Sequence, residues 1–213
     1  MDVDHLLTAT RSARRTLDLD APVDPGAVRN CLAIALQAAN GSNQQAWRWL
    51  VVADEAKRRA VAGLYQDVYR ELTGGRIGAE GFPDDLRRLL GSTEWLVDHL
   101  PQVPLLVIPC YQPYMPGDDA FVTATTWGSI FPAVWNFQLA LHTRGYGTCI
   151  TTMHLRREAE AREVLGIPEG WIQGCLLPVA RLRAGTSFRP APRRPVDEVV
   201  AVDGWDGPPL RTA

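Results

Sequence analysis

One segment, at about 120–143, constrains the fold more than any other, because it reads as a long helix that is apolar nearly all round. Its apolar residues include Phe121, Trp127, Ile130, Phe131, Val134, Trp135, Phe137, Leu139 and Leu141. A helix that is apolar on every side lies at the centre of a core or in a subunit interface. We therefore expect the chain to build its core around this helix or to bury it between subunits.

The other elements follow from periodicity and capping signals. The run Pro104–Cys110 is apolar throughout, which is typical of a strand buried on both faces. Asp24 followed by Pro25 predicts a helix start, and Asn40-Gly41 predicts a helix end. Further helices are expected at about 3–13, 25–39, 54–72, 84–100 and 156–165, and strands at 47–53, 146–151 and 174–180. The pattern is that of an α+β fold.

Neither a repeat nor a clear linker divides the chain, so a single domain is expected over residues 1–185. Within it, the stretch 73–83 holds four glycines and is predicted to be a flexible loop. The tail 186–213 is rich in proline and lacks periodicity, which predicts an extended C-terminal arm that belongs to the same domain.

Composition excludes several classes of function. The chain has 213 residues, is 46% hydrophobic and carries a formal net charge of −2, which argues against a nucleic-acid partner. It contains no apolar run of about 20 residues that could cross a membrane, and its N-terminus lacks a secretory signal. The protein is expected to be cytoplasmic.

No metal site is expected, because the cysteines and histidines lack zinc-ligand spacing. The cysteines are predicted to be buried free thiols: Cys31, Cys110, Cys149 and Cys175.

A basic cluster near the N-terminus suits a phosphate group. Thr10-Arg11-Ser12-Ala13-Arg14-Arg15 places cations and a hydroxyl within one predicted helical turn. The alternative interpretation is the solvated face of a helix, which is what most charge runs are.

A turn rich in amide side chains follows the second predicted helix. It reads Asn40-Gly41-Ser42-Asn43-Gln44-Gln45-Ala46-Trp47. Its closeness to Trp47 suggests that the amides lie near the core, where a buried amide needs partners that a cofactor can supply. The alternative is a polar connection between helix and strand. Similarly, Thr151-Thr152 are either ordinary strand residues or donors to a redox-active ring.

Taken in their order along the chain, these motifs resemble those of the FMN-dependent nitroreductases. The family's R-S-x-R is matched by Arg11-Ser12-Ala13-Arg14, and the amide turn resembles its A-P-S-x-x-N-x-Q-P-W. Further matches are Pro104-Leu105-Leu106-Val107-Ile108, Asn136 through Gly147, Leu165-Gly166-Ile167-Pro168 and Leu177-Pro178-Val179-Ala180. The resemblance covers nearly the whole chain and is closest to an actinobacterial-type branch.

The resemblance implies a mainly antiparallel central sheet flanked by helices, in an intertwined homodimer with two FMN sites at its interface. NADPH or NADH would deliver hydride and leave, and a nitroaromatic or quinone would then be reduced in a ping-pong mechanism. No side chain need act as a base or nucleophile, because FMN carries the chemistry. The implied cofactor-binding residues are Arg11, Ser12, Arg14, Asn40, Gly41, Asn43, Gln45, Thr151, Thr152, Met153 and Arg193, with Thr152 as a candidate donor to flavin N5.

The chain also departs from the family pattern. Thr10 stands where many members have a second arginine, and Arg15 or Arg194 is a candidate replacement.

Two alternative functions therefore stay open. One is a flavoprotein of the same fold that dehydrogenates a substrate, dehalogenates one, or uses oxygen to degrade flavin. The other is a non-catalytic flavin-binding dimer. Neither the physiological acceptor nor the choice of NADPH or NADH is encoded in these motifs.

Overall fold

We describe the fold from a computed structural model, which covers residues 2–75, 81–113, 117 and 119–210. The chain forms two compact units. The larger one is Arg11–Ser187, and the smaller one combines the residues up to Thr10 with those from Phe188 onward. The predicted boundary at 185/186 and the extended arm stay predictions. Residues 76–80, in the middle of the predicted loop 73–83, lie outside the described residues.

The larger unit is built on an antiparallel sheet. Its strands are β1 (Leu17–Asp18), β2 (Trp47–Val52), β3 (Leu105–Tyr111), β4 (Tyr146–Gly147), β5 (Ile172–Gln173) and β6 (Leu177–Leu182). The main order is β1-β6-β3-β2, with β4 paired to β6 and β5 to β3. Every strand pairing among the described residues is antiparallel, which confirms the expected sheet.

Helices cover both faces of this sheet. They are α2 (Pro25–Ala35), α3 (Glu55–Thr73), α4 (Asp84–His99), α5 (Ala120–His142) and α6 (Glu158–Leu165), whereas α1 (Val3–Ala9) belongs to the smaller unit. Aspartates cap the starts of three of them, since Asp24, Asp54 and Asp119 each accept hydrogen bonds from backbone N–H groups of the first turn. α3 ends at Gly74, whose φ of 65° suits glycine.

Alternate residues of β3 enter two separate cores. Leu105, Val107 and Tyr111 pack with α2 and α5, whereas Leu106, Ile108 and Cys110 pack with α3 and α4. Every residue of β3 is buried, which confirms the prediction of a strand covered on both faces. The cysteines predicted to be buried are all buried as well.

Several predicted boundaries were wrong. α1 ends at Ala9 and α2 at Ala35, each about four residues early. The strand expected at 146–151 is shortened to β4, and Thr151 pairs with Leu176 only through an isolated bridge. A 3-10 helix, Met153–Arg157, precedes α6. Within the described ranges, no helix is long and apolar enough to cross a membrane.

Candidate functional site

The basic cluster is not a helical turn, contrary to the prediction. Residues 11–13 continue in non-helical backbone after α1, and the N–H of Ala13 donates to the Thr148 carbonyl at 2.9 Å. Ser12 is exposed, and Arg11 and Arg14 are half-buried. A hydrogen bond to a distant part of the chain therefore sets the course of this segment and places it beside the residues that lead to Thr151.

Among the described residues, Arg14 is a cation without a carboxylate partner. Its Nε is buried and has no hydrogen-bond partner, and among the described residues no carboxylate lies within ion-pair distance of it. Its guanidinium instead lies against the thiol of Cys149, whose pKa burial raises to about 11 although Arg14 lowers it. A buried guanidinium nitrogen with no partner favours an anion at this position.

Thr151 is held on both its backbone and its side chain. Its N–H and C=O both bond to Leu176, at 3.0 and 2.7 Å. Its Oγ1 lies 2.8 Å from the hydroxyl of Tyr65, a buried residue of α3. Burial raises the pKa of Tyr65 more than the nearby charge of Arg14 lowers it. The structure thus brings Arg14 and Thr151 into one cluster with Tyr65 and Cys149.

Thr152 follows this anchored residue and faces solvent. Its backbone, with φ −134° and ψ 4°, is not helical, and its side chain makes no capping bond to the 3-10 helix that begins at Met153. Met153 is half-buried against the core beneath α3 and α4. Thr152 therefore presents a polar side chain at the surface, next to a residue whose backbone is held by two hydrogen bonds.

The amide turn is exposed, so the expectation that its amides lie near the core was wrong for Asn43 and Gln45. The side chain of Asn40 is half-buried, and its Oδ1 accepts from the N–H of Gln45 at 2.9 Å. Ser42, Asn43 and Gln45 have φ of 50°, 51° and 51°. Such left-handed backbone costs non-glycine residues about 1–2 kcal/mol each, and this strain is common at binding sites.

Gly41 fastens the turn to α5. Its N–H donates to Ser129 Oγ at 3.0 Å, and that hydroxyl donates to the Thr125 carbonyl at 2.7 Å. A Cβ at Gly41 would lie 3.2 Å from Ser129 Oγ and 3.3 Å from Thr125 Cγ2. A close approach to α5 thus explains glycine at this position.

Residues 7–181 match the model of the Nitroreductase family, over most of the chain. The chain belongs to the nitroreductase family. This membership confirms the resemblance that the motifs suggested.

Solved structures agree with this nitroreductase fold. One is iodotyrosine deiodinase bound to FMN and 3-iodo-L-tyrosine, with 21% identity over 95% of this chain and 99% of the other and a TM-score of 0.69. A BluB-like flavoprotein from Clostridium difficile 630 has 18% identity over 94% and 98% and a TM-score of 0.70. An FMN- and NADPH-dependent nitroreductase from Sphigopyxis sp. strain HMH has 20% identity over 96% and 100%, also with 0.70. At these identities the similarity supports the fold alone.

In this nitroreductase-family chain, the residues expected to bind a cofactor form two groups. Arg14, Thr151 and the adjoining residues make one group, and the amide turn on α5 makes the other. No hydrogen bond between described residues joins Arg14 or Thr151 to the turn. Sequence reasoning missed three supporting residues: Tyr65, Cys149 and Ser129. The only signal for Tyr65 was its helical spacing in α3.

The remaining candidate arginines have other contacts. Arg15 donates to the Gly91 carbonyl of α4 at 2.7 Å, and its role as a replacement for a cation at Thr10 stays a prediction. In the smaller unit, Arg194 pairs with Glu198 at 3.3 Å, and Arg193 is exposed and donates to the Pro192 carbonyl.

A pocket of about 300 Å³ lies on another part of the larger unit. No predicted site residue lines it, and its walls are Arg48, Leu50, Cys110, Gly166, Ile167, Pro168 and Trp171. It therefore takes no part in the candidate site.

Proposed function

We propose that this protein is an FMN-dependent oxidoreductase that uses NADPH or NADH to reduce small electron-poor acceptors such as nitroaromatics and quinones. Membership of the nitroreductase family supports the reaction class. The observation that carries the proposal for this chain is Arg14, a cation whose buried Nε has no hydrogen-bond partner in the part of the chain that the structure describes. FMN, when bound, supplies the hydride chemistry, and the protein supplies position, charge and access.

The residues at Arg14 fit the phosphate of FMN. A phosphate oxygen accepts well from a guanidinium, and charge-assisted bonds of this kind are stronger than neutral ones. The exposed hydroxyl of Ser12 lies two residues away and offers a second donor, and the half-buried Arg11 adds positive charge. These residues would hold the phosphate end of the cofactor.

The exposed polar groups fit the rest of the cofactor. Amide side chains donate and accept, so Asn43 and Gln45 suit a polyol chain and the polar edge of a heterocycle. Thr152 and the backbone around Met153 would donate at the edge of the ring that exchanges hydride. Because no side chain needs to act as a base, the protein's task is to orient the donor and acceptor in turn.

We further propose a homodimer in which the two groups of residues meet across the interface. One side of α5 is exposed, and its residues recur every three or four positions along the helix. We call this side the α5 face and define it as Phe121, Ala124, Gly128, Pro132 and Trp135. Phe121 is 65% exposed and Trp135 40%. An exposed apolar stripe with large side chains at Phe121 and Trp135 favours burial against another subunit. Since Gly41 fastens the amide turn to α5, packing of this face would carry the turn to the partner.

Two measurements on the purified protein test this proposal. Titration with FMN, followed by quenching of flavin fluorescence, should show saturable binding at one FMN per chain. Sedimentation equilibrium should give a dimer, and Trp135→Glu should shift the protein towards monomer and weaken FMN binding at the same time. A monomer that binds FMN normally would contradict the composite site, and a protein that takes up no FMN would contradict the function.

A further inference from the structure

A buried tyrosine contacts the residue that precedes Thr152. Tyr65 is 1% exposed, and its hydroxyl lies 2.8 Å from Thr151 Oγ1. A phenol is more acidic than an alkyl hydroxyl and is therefore the better donor. We assign Tyr65 as the donor and Thr151 as the acceptor of this hydrogen bond.

Thr151 is consequently fixed by three hydrogen bonds: its N–H donates to the Leu176 carbonyl, its carbonyl accepts from the Leu176 N–H, and its Oγ1 accepts from the Tyr65 hydroxyl. The next residue, Thr152, is exposed and carries no capping bond. A binding group keeps its orientation when the residues behind it are locked by packing and hydrogen bonds. Removal of the Tyr65 hydroxyl would take away one of these three restraints and let the Thr151 side chain change rotamer, so the backbone that leads to Thr152 would be held by the two bonds to Leu176 alone.

The same cluster reaches the phosphate group. Arg14 lies against Cys149, and its positive charge also acts on Tyr65. Tyr65 therefore interacts with residues proposed to hold both ends of the cofactor, by a hydrogen bond to Thr151 and through the charge of Arg14, although it belongs to neither sequence motif.

We propose that Tyr65 is a positioning residue, which acts through Thr151 to hold Thr152 at the edge of the bound flavin. This inference rests on the proposed function. Tyr65 itself touches neither flavin nor acceptor, so its removal should alter how the flavin is held and how easily it is reduced, not only how fast the enzyme turns over.

The test compares Tyr65→Phe and Thr151→Val, both of which remove one hydroxyl and preserve shape, with Thr151→Ser, which keeps the hydroxyl. Tyr69→Phe is the matched control, because Tyr69 is also buried in α3 and its hydroxyl donates to Glu94 Oε1 at 3.1 Å. The readouts are the FMN dissociation constant, the visible absorption spectrum of the bound flavin, its reduction potential and the melting temperature of the apoprotein.

Tyr65→Phe and Thr151→Val should each weaken FMN binding by about fivefold, the effect of one lost hydrogen bond, and shift the spectrum and potential of the bound flavin. The double variant should lose no more than either single one, since both remove the same bond. Thr151→Ser, which keeps the hydroxyl, should restore most of the FMN binding that Thr151→Val loses, and Tyr69→Phe should behave as the wild type. Unchanged flavin properties in both Tyr65→Phe and Thr151→Val would overturn the inference, as would an equal effect of Tyr69→Phe.

The two proposals can fail separately. A wild-type protein that binds no FMN overturns the proposed function and this inference with it. A wild-type protein that binds FMN, with a spectrum and potential that these substitutions leave unchanged, overturns the inference alone.

Discussion

Replacement of Arg14 by methionine separates the phosphate contribution from the rest of flavin binding. Methionine keeps much of the length of the side chain and removes its charge and donors. A hydrogen bond to a charged group contributes about 1.5–3 kcal/mol, so the FMN dissociation constant should rise about 10- to 150-fold. Riboflavin lacks the phosphate, and its dissociation constant should therefore be the same for wild type and Arg14→Met.

The assay is fluorescence titration of both flavins against wild type, Arg14→Met and Arg15→Met. Arg15 is the matched control, because it is the neighbouring cation and its guanidinium bonds to the Gly91 carbonyl. Since no described carboxylate pairs with Arg14, its removal should not lower the melting temperature of the apoprotein. An equal loss for riboflavin and FMN, or an equal effect of Arg15→Met, would refute the assignment of Arg14 to the phosphate.

Three further substitutions test the local account. Gln45→Gly removes the strain of a non-glycine residue at a φ of 51°. The apoprotein should therefore be as stable as wild type, or up to about 1 kcal/mol more stable in urea unfolding, whereas FMN binding should weaken. Lower stability would show that the turn is not strained. Gly147→Ala places a Cβ 2.7 Å from that of Ala13 and 2.6 Å from Leu182 Cδ2, so unfolding should become easier by about 1–3 kcal/mol, and an unchanged melting temperature would contradict this close approach. Burial lowers the pKa of His154 from 6.5 to about 4, so unfolding favours its protonation and stability should fall as pH drops from about 6.5 towards 4, by up to about 3 kcal/mol relative to His154→Leu. Parallel pH profiles of wild type and His154→Leu would contradict that burial.

Local signals were sufficient for most of the fold. The aspartates that cap α2, α3 and α5, and the continuous apolar run of β3, act through neighbouring residues, so the sequence displays them directly. The membership of the family could likewise be inferred, because motifs spread along the chain kept the family's order.

Features that depend on contacts between distant residues could not be inferred from local sequence signals. The basic cluster has no residue that breaks a helix, and its non-helical course depends on the bond from Ala13 to Thr148. The exposure of Asn43 and Gln45 likewise depends on left-handed backbone, in a turn that Ser129 fastens to α5. Tyr65 is an ordinary core position in the α3 pattern, and its partner Thr151 lies far along the chain.

The acceptor is not encoded in the fold. An iodotyrosine deiodinase and an NADPH-dependent nitroreductase resemble the chain equally, with TM-scores of 0.69 and 0.70. Different reactions therefore share this architecture, and the groups that discriminate between them must be identified by chemistry on the protein itself.

Anaerobic absorbance spectroscopy of the FMN-loaded protein tests the central claim most directly. NADPH and NADH are added separately, and a quinone or a nitroaromatic follows once the spectrum is stable. We predict that one of the two nucleotides bleaches the flavin band promptly and that the acceptor restores it. A flavin band that neither nucleotide bleaches, or a bleached band that neither acceptor restores, would contradict the proposed reductase.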